Sequence, residues 1–308
     1  MKQTENTFSE IKVIYSPKYH VNIGTHIFPT HKYHLLYDRL IRESVFDEKD
    51  FIYPKPAAKE DILLVHTQDY VDKLFEGRLC SSDIMRLELP YSKELVEVSR
   101  ICAEGTIRSV RHALKGGISV HIGGGFHHAF SDHGEGFCVF NDIAIGIRRA
   151  AKDGLLNRAL VIDCDLHQGN GTASIFSNDK SVFTFSMHQE NNYPFNKPPS
   201  DLDIGLDDGA CDDEYIERLS ESLPMVIERF KPDILIYVAG ADTYIDDQLG
   251  GLSLTIGGME RRDEFIFKQS KHFNIPTTAL LAGGYALDSD DIVTIHYNMI
   301  KRAKEILE

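Results

Sequence analysis

The chain alternates short apolar runs with longer segments whose apolar residues recur at helical spacing. Four of the apolar runs end in glycine and polar residues, at 118–122, 159–162, 234–238 and 277–281. Helical patterns accompany them at 142–152, 213–230, 259–272 and 288–306. Apolar strands that alternate with helices predict an α/β fold, with a mainly parallel central sheet and helices on both faces. Because ligands gather outside the carboxyl ends of such strands, we expect the four polar strand ends to converge.

The first third of the chain predicts additional elements of the same layers. We expect a strand at 11–15, a surface helix at 31–46, a helix at 68–75 with Thr67 as its N-cap, and a long amphipathic helix at 91–114. Residues 1–10 are expected to form a flexible extension, and the Pro-, Asn- and Asp-rich stretch 191–209 a long loop. No linker or low-complexity tract divides the chain, so one domain over 1–308 is the simplest expectation.

Composition narrows the possible partners. The formal net charge of -14 argues against direct binding of nucleic acid or an anionic membrane, because either surface requires clustered Lys and Arg. No apolar run approaches the roughly 18 to 20 residues that cross a bilayer, and no signal-peptide core is visible. The five cysteines form no C-x-x-C pair and are interpreted as reduced thiols. We therefore expect a cytoplasmic protein without a membrane span; a nuclear location and the oligomeric state are left open.

The strand end at 159–162 carries the first candidate chemistry. Asp163, Asp165 and His167 follow it at spacing two, which places all three on one face of an extended backbone. Two carboxylates and an imidazole in a crevice require a counter-charge, and a divalent metal supplies it. Gly169 allows a tight turn behind them. The alternative interpretation is an N-cap aspartate in a solvated loop.

The other three strand ends extend this site. Asp242 would be a third ligand beside Asp165 and His167, with zinc, iron(II) and manganese all compatible with the donor set. His127 and His128 can take a proton from water, and Tyr285 on its Gly-Gly turn can donate to an oxyanion. Each feature has an ordinary alternative: a loop histidine pair, a helix cap, a simple bend. Together they predict metal-assisted hydrolysis of a carbonyl compound.

Four sequence blocks carry a family resemblance. GGGFHHAFSDHGEGFCVFNDIAI, DCDLHQGNGT, AGADTYIDDQLGGLSLT and LAGGYA resemble the signature blocks of the histone deacetylase family, which has an arginase-like α/β fold. LVHTQDYVDKL is similar to the family's amino-terminal helix entry. The segments HQGNG at 167–171 and LGGLS at 249–253 resemble the class IV branch more than classes I or II.

The resemblance implies a role for each matched residue. It implies one zinc ion on Asp165, His167 and Asp242, His128 as general base and then acid, and Tyr285 as oxyanion donor. His127 would be the electrostatic partner of His128. Asp163 would hold the outer nitrogen of His127. The implied walls of an acyl-lysine channel are Gly136, Phe137, Tyr193 and Leu249. An implied structural potassium ion would lie on the backbone carbonyls of Asp163, Asp165, His167, Ser186 and Met187.

Asn170 is a departure from the class I pattern, which has an aspartate behind the catalytic histidine. An amide orients His128 but brings no negative charge, so the cationic form of His128 loses stabilisation. We expect His128 to stay neutral, and competent as a base, to lower pH.

These observations favour a zinc-dependent amidohydrolase that removes acetyl or longer acyl groups from lysine ε-amines of proteins or peptides. Deacylation of acyl-polyamines or other small amides is an alternative. A dinuclear manganese hydrolase is disfavoured because Gln168 and Gly169 follow His167, and Thr243 and Tyr244 follow Asp242, where additional carboxylates would be needed. A different class of protein, which binds acyl-lysine without cleaving it, is disfavoured by the intact His pair and Tyr285.

Overall fold

The computed structural model describes residues 10–307, and eight parallel strands form one sheet within them. The sheet order is β2-β1-β3-β8-β7-β4-β5-β6. In chain order the strands are β1 (Glu10–Ile14), β2 (Phe51–Ile52), β3 (Gly117–His121), β4 (Ala159–Asp163), β5 (Val182–Gln189), β6 (Leu202–Leu206), β7 (Ile234–Val238) and β8 (Thr277–Leu280).

Within the same described residues, ten α-helices accompany the strands. They are α1 (Lys32–Arg42), α2 (Lys59–Ile62), α3 (Gln68–Glu76), α4 (Ser81–Leu87), α5 (Lys93–Gly116), α6 (Asp142–Lys152), α7 (Asn170–Phe176), α8 (Asp212–Phe230), α9 (Ile256–Phe273) and α10 (Ser289–Leu307). Thr67 caps α3 by accepting a hydrogen bond from the backbone N–H of Tyr70.

Both faces of the sheet are buried, because successive side chains of a strand point to opposite faces. In β4, Val161 packs in one hydrophobic cluster with residues of α5 and α6, whereas Leu160 and Ile162 pack in a second cluster with residues of α8, α9 and α10. Every residue of β3, β4, β7 and β8 is buried. This two-sided burial explains why these strands are continuous apolar runs and confirms the predicted α/β fold.

The four strands with polar ends lie side by side in the sheet. Their order β3-β8-β7-β4 differs from their order in the chain, but all are parallel, so their carboxyl ends meet at one edge. The predicted convergence therefore follows from the sheet topology.

The prediction of a long loop over 191–209 is wrong at its centre. β6 (Leu202–Leu206) lies there and pairs with β5, which was not predicted either. β6 is an edge strand with a half-buried sequence, LDIGL, so no clear apolar alternation marks it. α4 and α7 also escaped prediction, because both are only seven residues long. Residues 1–9 of the expected N-terminal extension lie outside the described residues, and Glu10 begins β1.

Over residues 10–307, no helix is both long and apolar enough to span a bilayer. Among the cysteines, Cys102, Cys138 and Cys164 are buried, Cys80 and Cys211 are exposed, and all five are free thiols.

Candidate active site

The carboxyl ends of the four central strands deliver the predicted site residues to one place. The segment after β3 carries His127 and His128, and the segment after β4 carries Asp165 and His167. Asp242 follows β7 and Tyr285 follows β8. Apart from Asp242, these side chains line a single cavity of about 210 Å³, and Asp242 lies at its base beside His167.

Asp165, His167 and Asp242 form a cluster suited to one metal ion. Each offers a ligand atom within 4.8 Å of the other two, and all three are buried. His167 Nδ1 lies 3.3 Å from both Asp165 Oδ1 and Asp242 Oδ2. Asp242 Oδ2 is nevertheless without a hydrogen-bond partner. Burial raises the pKa of Asp242, and the adjacent Asp165 carboxylate raises it further. A cation between the carboxylates removes both penalties, so these residues fit a divalent ion.

Backbone N–H groups aim the two carboxylates at this point. Gly283 N donates to Asp165 Oδ2 at 2.9 Å, and Leu166 N donates to Asp242 Oδ1 at 2.9 Å. Only glycine fits at position 283, because a Cβ there would lie 2.1 Å from Asp242 Oδ2. The Gly-Gly turn thus lets the backbone approach the ligands closely.

The two adjacent histidines have different partners. His127 Nδ1 lies 2.7 Å from Asp163 Oδ2, and His128 Nδ1 lies 2.7 Å from the amide oxygen of Asn170. Both imidazoles are buried, and their ring centroids are 4.0 Å apart. The structure therefore brings together both pairs that the sequence blocks suggested.

The different partners give the two imidazoles opposite pKa shifts. Burial opposes the charged form of His127, but the Asp163 and Asp165 carboxylates outweigh it and raise the pKa of His127 to about 9. Burial lowers the pKa of His128 well below its ordinary value, and the neighbouring His127 and His167 lower it further. Titratable groups whose pKa values are pushed apart in this way are suited to different roles in acid–base chemistry.

The cavity is a channel with largely apolar walls. Gly136, Phe137, Tyr193 and Leu249 all line it, as the resemblance implied, and Phe28, Phe126 and Asn192 were not foreseen. Gly136 has a positive φ of 51° and lies close to His128, since a Cβ there would lie 2.8 Å from His128 Cδ2. A side chain at this position would therefore obstruct the approach to His128.

Tyr285 also lines this cavity, and hydrogen bonds hold its backbone in place. Its N–H donates to Asp247 Oδ2 at 2.6 Å, while Leu249 N donates to Asp247 Oδ1 at 2.9 Å. Burial raises the pKa of Tyr285 well above its ordinary value, and Asp242 and Asp165 raise it further. The phenol thus keeps its proton and can donate it in a hydrogen bond.

Four charged residues that support the site were missed at the sequence level. Asp247 lies within the predicted Asp242 block, so its acidic type five residues after a ligand was a usable signal. Lys32 on α1 is fully buried and donates to the backbone oxygens of Ala282 and Gly283, at 2.9 and 3.2 Å. Glu135 contacts Asn170 and Tyr193, and Arg262 contacts the backbone beside two ligands. No local motif marks Lys32 or Arg262.

The fold and site together define a protein of the α/β class with a candidate active site at the carboxyl edge of a parallel sheet. The histone deacetylase domain family matches residues 26–299, so the chain belongs to the histone deacetylase family. An uncharacterized protein of Picosynechococcus sp. is 38% identical over 295 residues, covering 96% of this chain and 98% of that protein. Histone deacetylase 2 of Arabidopsis thaliana is 30% identical, over 92% of this chain and 77% of its own.

Solved structures of the same fold show the same relationship. An HDAC homolog complexed with SAHA superimposes with a TM-score of 0.81 at 26% identity, over 97% of this chain and 88% of that one. An HDAC homolog from Aquifex aeolicus gives a TM-score of 0.79 at 25% identity, with the same coverage. The arginase-like α/β fold and the deacetylase family assignment are thus shown independently by sequence and by structure.

Proposed function

We propose that the protein is a zinc-dependent amidohydrolase that removes acyl groups, acetyl or longer, from the ε-amine of lysine in proteins or peptides. The observation that carries this proposal is the shared cavity. One largely apolar cavity is lined by the candidate ligands Asp165 and His167 and also by His128 and Tyr285. The structural similarity to an HDAC homolog complexed with SAHA supports a ligand that fills such a channel.

The residues of the chain divide the proposed reaction among them. A zinc ion, when bound, would polarise the amide carbonyl and acidify a nearby water molecule. His128 is neutral because of its burial, and it accepts the proton of the attacking water at Nε2. Tyr285 donates its phenol hydrogen to the oxyanion that develops on the carbonyl oxygen. His128 then returns the proton to the departing lysine amine. His127 stays hydrogen-bonded to Asp163 and keeps its own proton throughout, so the charge beside His128 does not change.

The metal stoichiometry that we propose is one ion per chain. Across residues 10–307, Asp165, His167 and Asp242 form the one group of three such side chains with metal-ligand spacing. This observation disfavours the dinuclear manganese alternative. Potassium on the carbonyls near Asp163 and Ser186, which face each other in β4 and β5, stays a prediction. Assignment to the class IV branch likewise rests on the HQGNG and LGGLS segments alone.

The test of this function is direct hydrolysis. Zinc-loaded protein is incubated with acetyl-, decanoyl- and myristoyl-lysine peptides and with acetylated polyamines, with and without a chelator, and amine release is measured. We expect turnover of the lysine peptides that the chelator abolishes. Turnover of polyamines alone would point to the small-amide alternative, and tight peptide binding without turnover would point to an inactive acyl-lysine-binding protein.

Replacing Tyr285 with Phe isolates the oxyanion donor. Removal of one such donor lowers kcat by roughly 10² to 10³, whereas zinc content is unchanged because Tyr285 is not a ligand in the proposed site. Tyr53→Phe, at a tyrosine that is 47% exposed, serves as the control and retains the parental rate. A Tyr285→Phe enzyme that works at the parental rate would rule out the proposed mechanism.

A further inference from the structure

A carboxylate lies behind Asn170, on the side away from His128. Glu135 Oε1 accepts a hydrogen bond from Asn170 Nδ2 at 2.6 Å and another from the Tyr193 hydroxyl at 3.0 Å. The amide oxygen of the same Asn170 faces His128 Nδ1 at 2.7 Å. Glu135, Asn170 and His128 therefore form a continuous hydrogen-bonded series from the channel wall to the imidazole.

We propose that Glu135 is a positioning residue that determines which nitrogen of His128 carries the proton. This inference rests on the proposed function, in which His128 is the base. Glu135 acts through Asn170 and does not itself contact the reacting atoms. Its role is to ensure that the proton of neutral His128 is on Nδ1, so that the lone pair of Nε2 is available to the attacking water.

Glu135 carries a negative charge at neutral pH. Burial raises the pKa of Glu135, but hydrogen bonds with His133, Asn170 and Tyr193 outweigh burial and hold the pKa below its ordinary value. The carboxyl group is therefore ionised at neutral pH. An ionised carboxylate only accepts hydrogen bonds, so Asn170 must present its NH₂ group to Glu135.

The orientation of the Asn170 amide decides which nitrogen of His128 is protonated. With the NH₂ group on Glu135, the oxygen of Asn170 faces His128, and the backbone N–H of Gly171 donates to the same oxygen at 3.0 Å. An amide oxygen only accepts, so His128 must donate to it from Nδ1. The proton on Nδ1 leaves Nε2 as the basic nitrogen.

Glu135 also connects this series to the channel. The Tyr193 ring packs edge-on against the His128 imidazole, with centroids 5.0 Å apart. Its hydroxyl shares the carboxylate oxygen that Asn170 uses. The remaining oxygen, Oε2, lies 3.4 Å from His133 Nε2 on the solvent side, and Glu88 is a further carboxylate nearby. The Glu135 side chain is only 19% exposed, which limits competition from water.

A simple structural role for Glu135, as the partner of His133, makes a different prediction. If the ion pair alone mattered, His133→Gln would impair the enzyme as much as any change at Glu135. If Glu135 instead determines which nitrogen of His128 is protonated, Glu135→Gln is the informative variant. Glutamine has nearly the same shape but can donate as well as accept, so the Asn170 amide is free to turn and to favour the wrong His128 tautomer.

The experiment combines kinetics with ¹⁵N NMR of the histidines in zinc-loaded protein. In the parental enzyme we expect the His128 signals of an imidazole protonated on Nδ1. Glu135→Gln should populate the Nε2-protonated form and lower kcat roughly 10- to 100-fold, as loss of an orienting partner does at other sites. KM should change less than kcat. Glu135→Asp should restore part of the Nδ1 tautomer and of the rate.

The control and the contrary outcomes are distinct. His133→Gln should leave the His128 tautomer unchanged and kcat within about twofold, since it removes only a partly exposed ion pair. An Nε2-protonated His128 in the parental protein would overturn the inference without any measurement of activity. So would a Glu135→Gln enzyme with parental kcat and tautomer. Failure of the proposed function would instead appear as absence of hydrolysis by the parental enzyme.

Discussion

At the scale of single residues, His127 and His128 are adjacent in the chain and chemically identical, yet their pKa values shift in opposite directions. His127 contacts a carboxylate and His128 an amide, so only His127 has a direct negative partner. A divalent ion on Asp165, His167 and Asp242 would lower the pKa of both imidazoles, but the difference between them comes from Asp163. Burial is the largest cause of the low pKa of His128, the neighbouring His127 and His167 lower it further, and the hydrogen bond with Asn170 raises it.

The charge at position 170 can be tested by pH dependence. Asn170→Asp alone would place two carboxyl groups in contact, so one of them would keep a proton and shield His128. In Asn170→Asp with Glu135→Gln the new carboxylate is ionised and stabilises the cationic form of His128. The pKa of His128 rises, and because only neutral His128 is a base, the acidic limb of kcat/KM moves to higher pH by about 1 to 3 units.

The measurement is the pH profile of kcat/KM for the parental, single and double variants. The single variant should show the smaller displacement. An acidic limb at the same pH in all three would mean that position 170 does not control the charge of His128.

At the scale of elements, α9 contacts the segments after β4 and β7 that carry the two candidate carboxylate ligands. Its Arg262 is fully buried and donates to the backbone oxygens of Cys164, at 3.3 Å, and Gly240, at 2.8 Å. Cys164 immediately precedes Asp165, and Gly240 lies two residues before Asp242. The guanidinium is neutralised by Asp263, which also accepts a hydrogen bond from Tyr237. One side chain thus satisfies backbone oxygens of the segments that follow β4 and β7.

Replacement of Arg262 with Met should be strongly destabilising. It leaves Asp263 buried without its counter-charge, and breaking a buried ion pair in this way costs about 3 to 5 kcal/mol. The free energy of unfolding of metal-free protein, measured in urea, checks this value. The adjacent Arg261→Met is a matched control, because Arg261 pairs with Asp213 in solvent and such pairs are worth less than about 1 kcal/mol. Equal costs at both positions would contradict this role of Arg262.

At the scale of the whole molecule, the sheet order brings buried carboxylates close together at one edge. Two buried carboxylates arrive at one point from β4 and β7, with Asp247 close behind. Burial and, next, the nearby Asp242 carboxylate together raise the pKa of Asp247 to about 7. The fold therefore carries repulsion at this edge, which a divalent ion would relieve. Metal binding should consequently contribute to the stability of the complete domain.

We expect removal of the metal to lower the Tm. A ligand at 100 times its Kd stabilises by about 2.7 kcal/mol, which for a chain of this size corresponds to a decrease in Tm of about 5 °C on chelation. Elemental analysis should find one zinc ion per chain. Asp242→Asn should lose the response of Tm to chelation, whereas Asp213→Asn, at an exposed carboxylate, should keep it. Two ions per chain would revive the dinuclear alternative.

Much of this protein follows from local patterns in its sequence. Apolar runs such as 234–238 predicted the strands, and helical spacing such as that at 142–152 predicted the helices, because the periodicity of apolar residues reflects which faces are buried. The ligand types at the strand ends indicated a metal, because side-chain chemistry does not depend on distant partners. The edge strand β6 and the partly polar β5 were missed, because neither has a clear apolar pattern.

The sequence by itself therefore determined the α/β class, the four central strands, and the identity of Asp165, His167, Asp242 and Tyr285 as candidates. The tertiary structure decided which groups stabilise them. Glu135 meets Asn170 across 35 residues, Arg262 meets Cys164 across 98, and Lys32 meets Ala282 across 250. No local pattern encodes such pairs, because a buried charge is specified by the three-dimensional position of its partner and not by its neighbours along the chain.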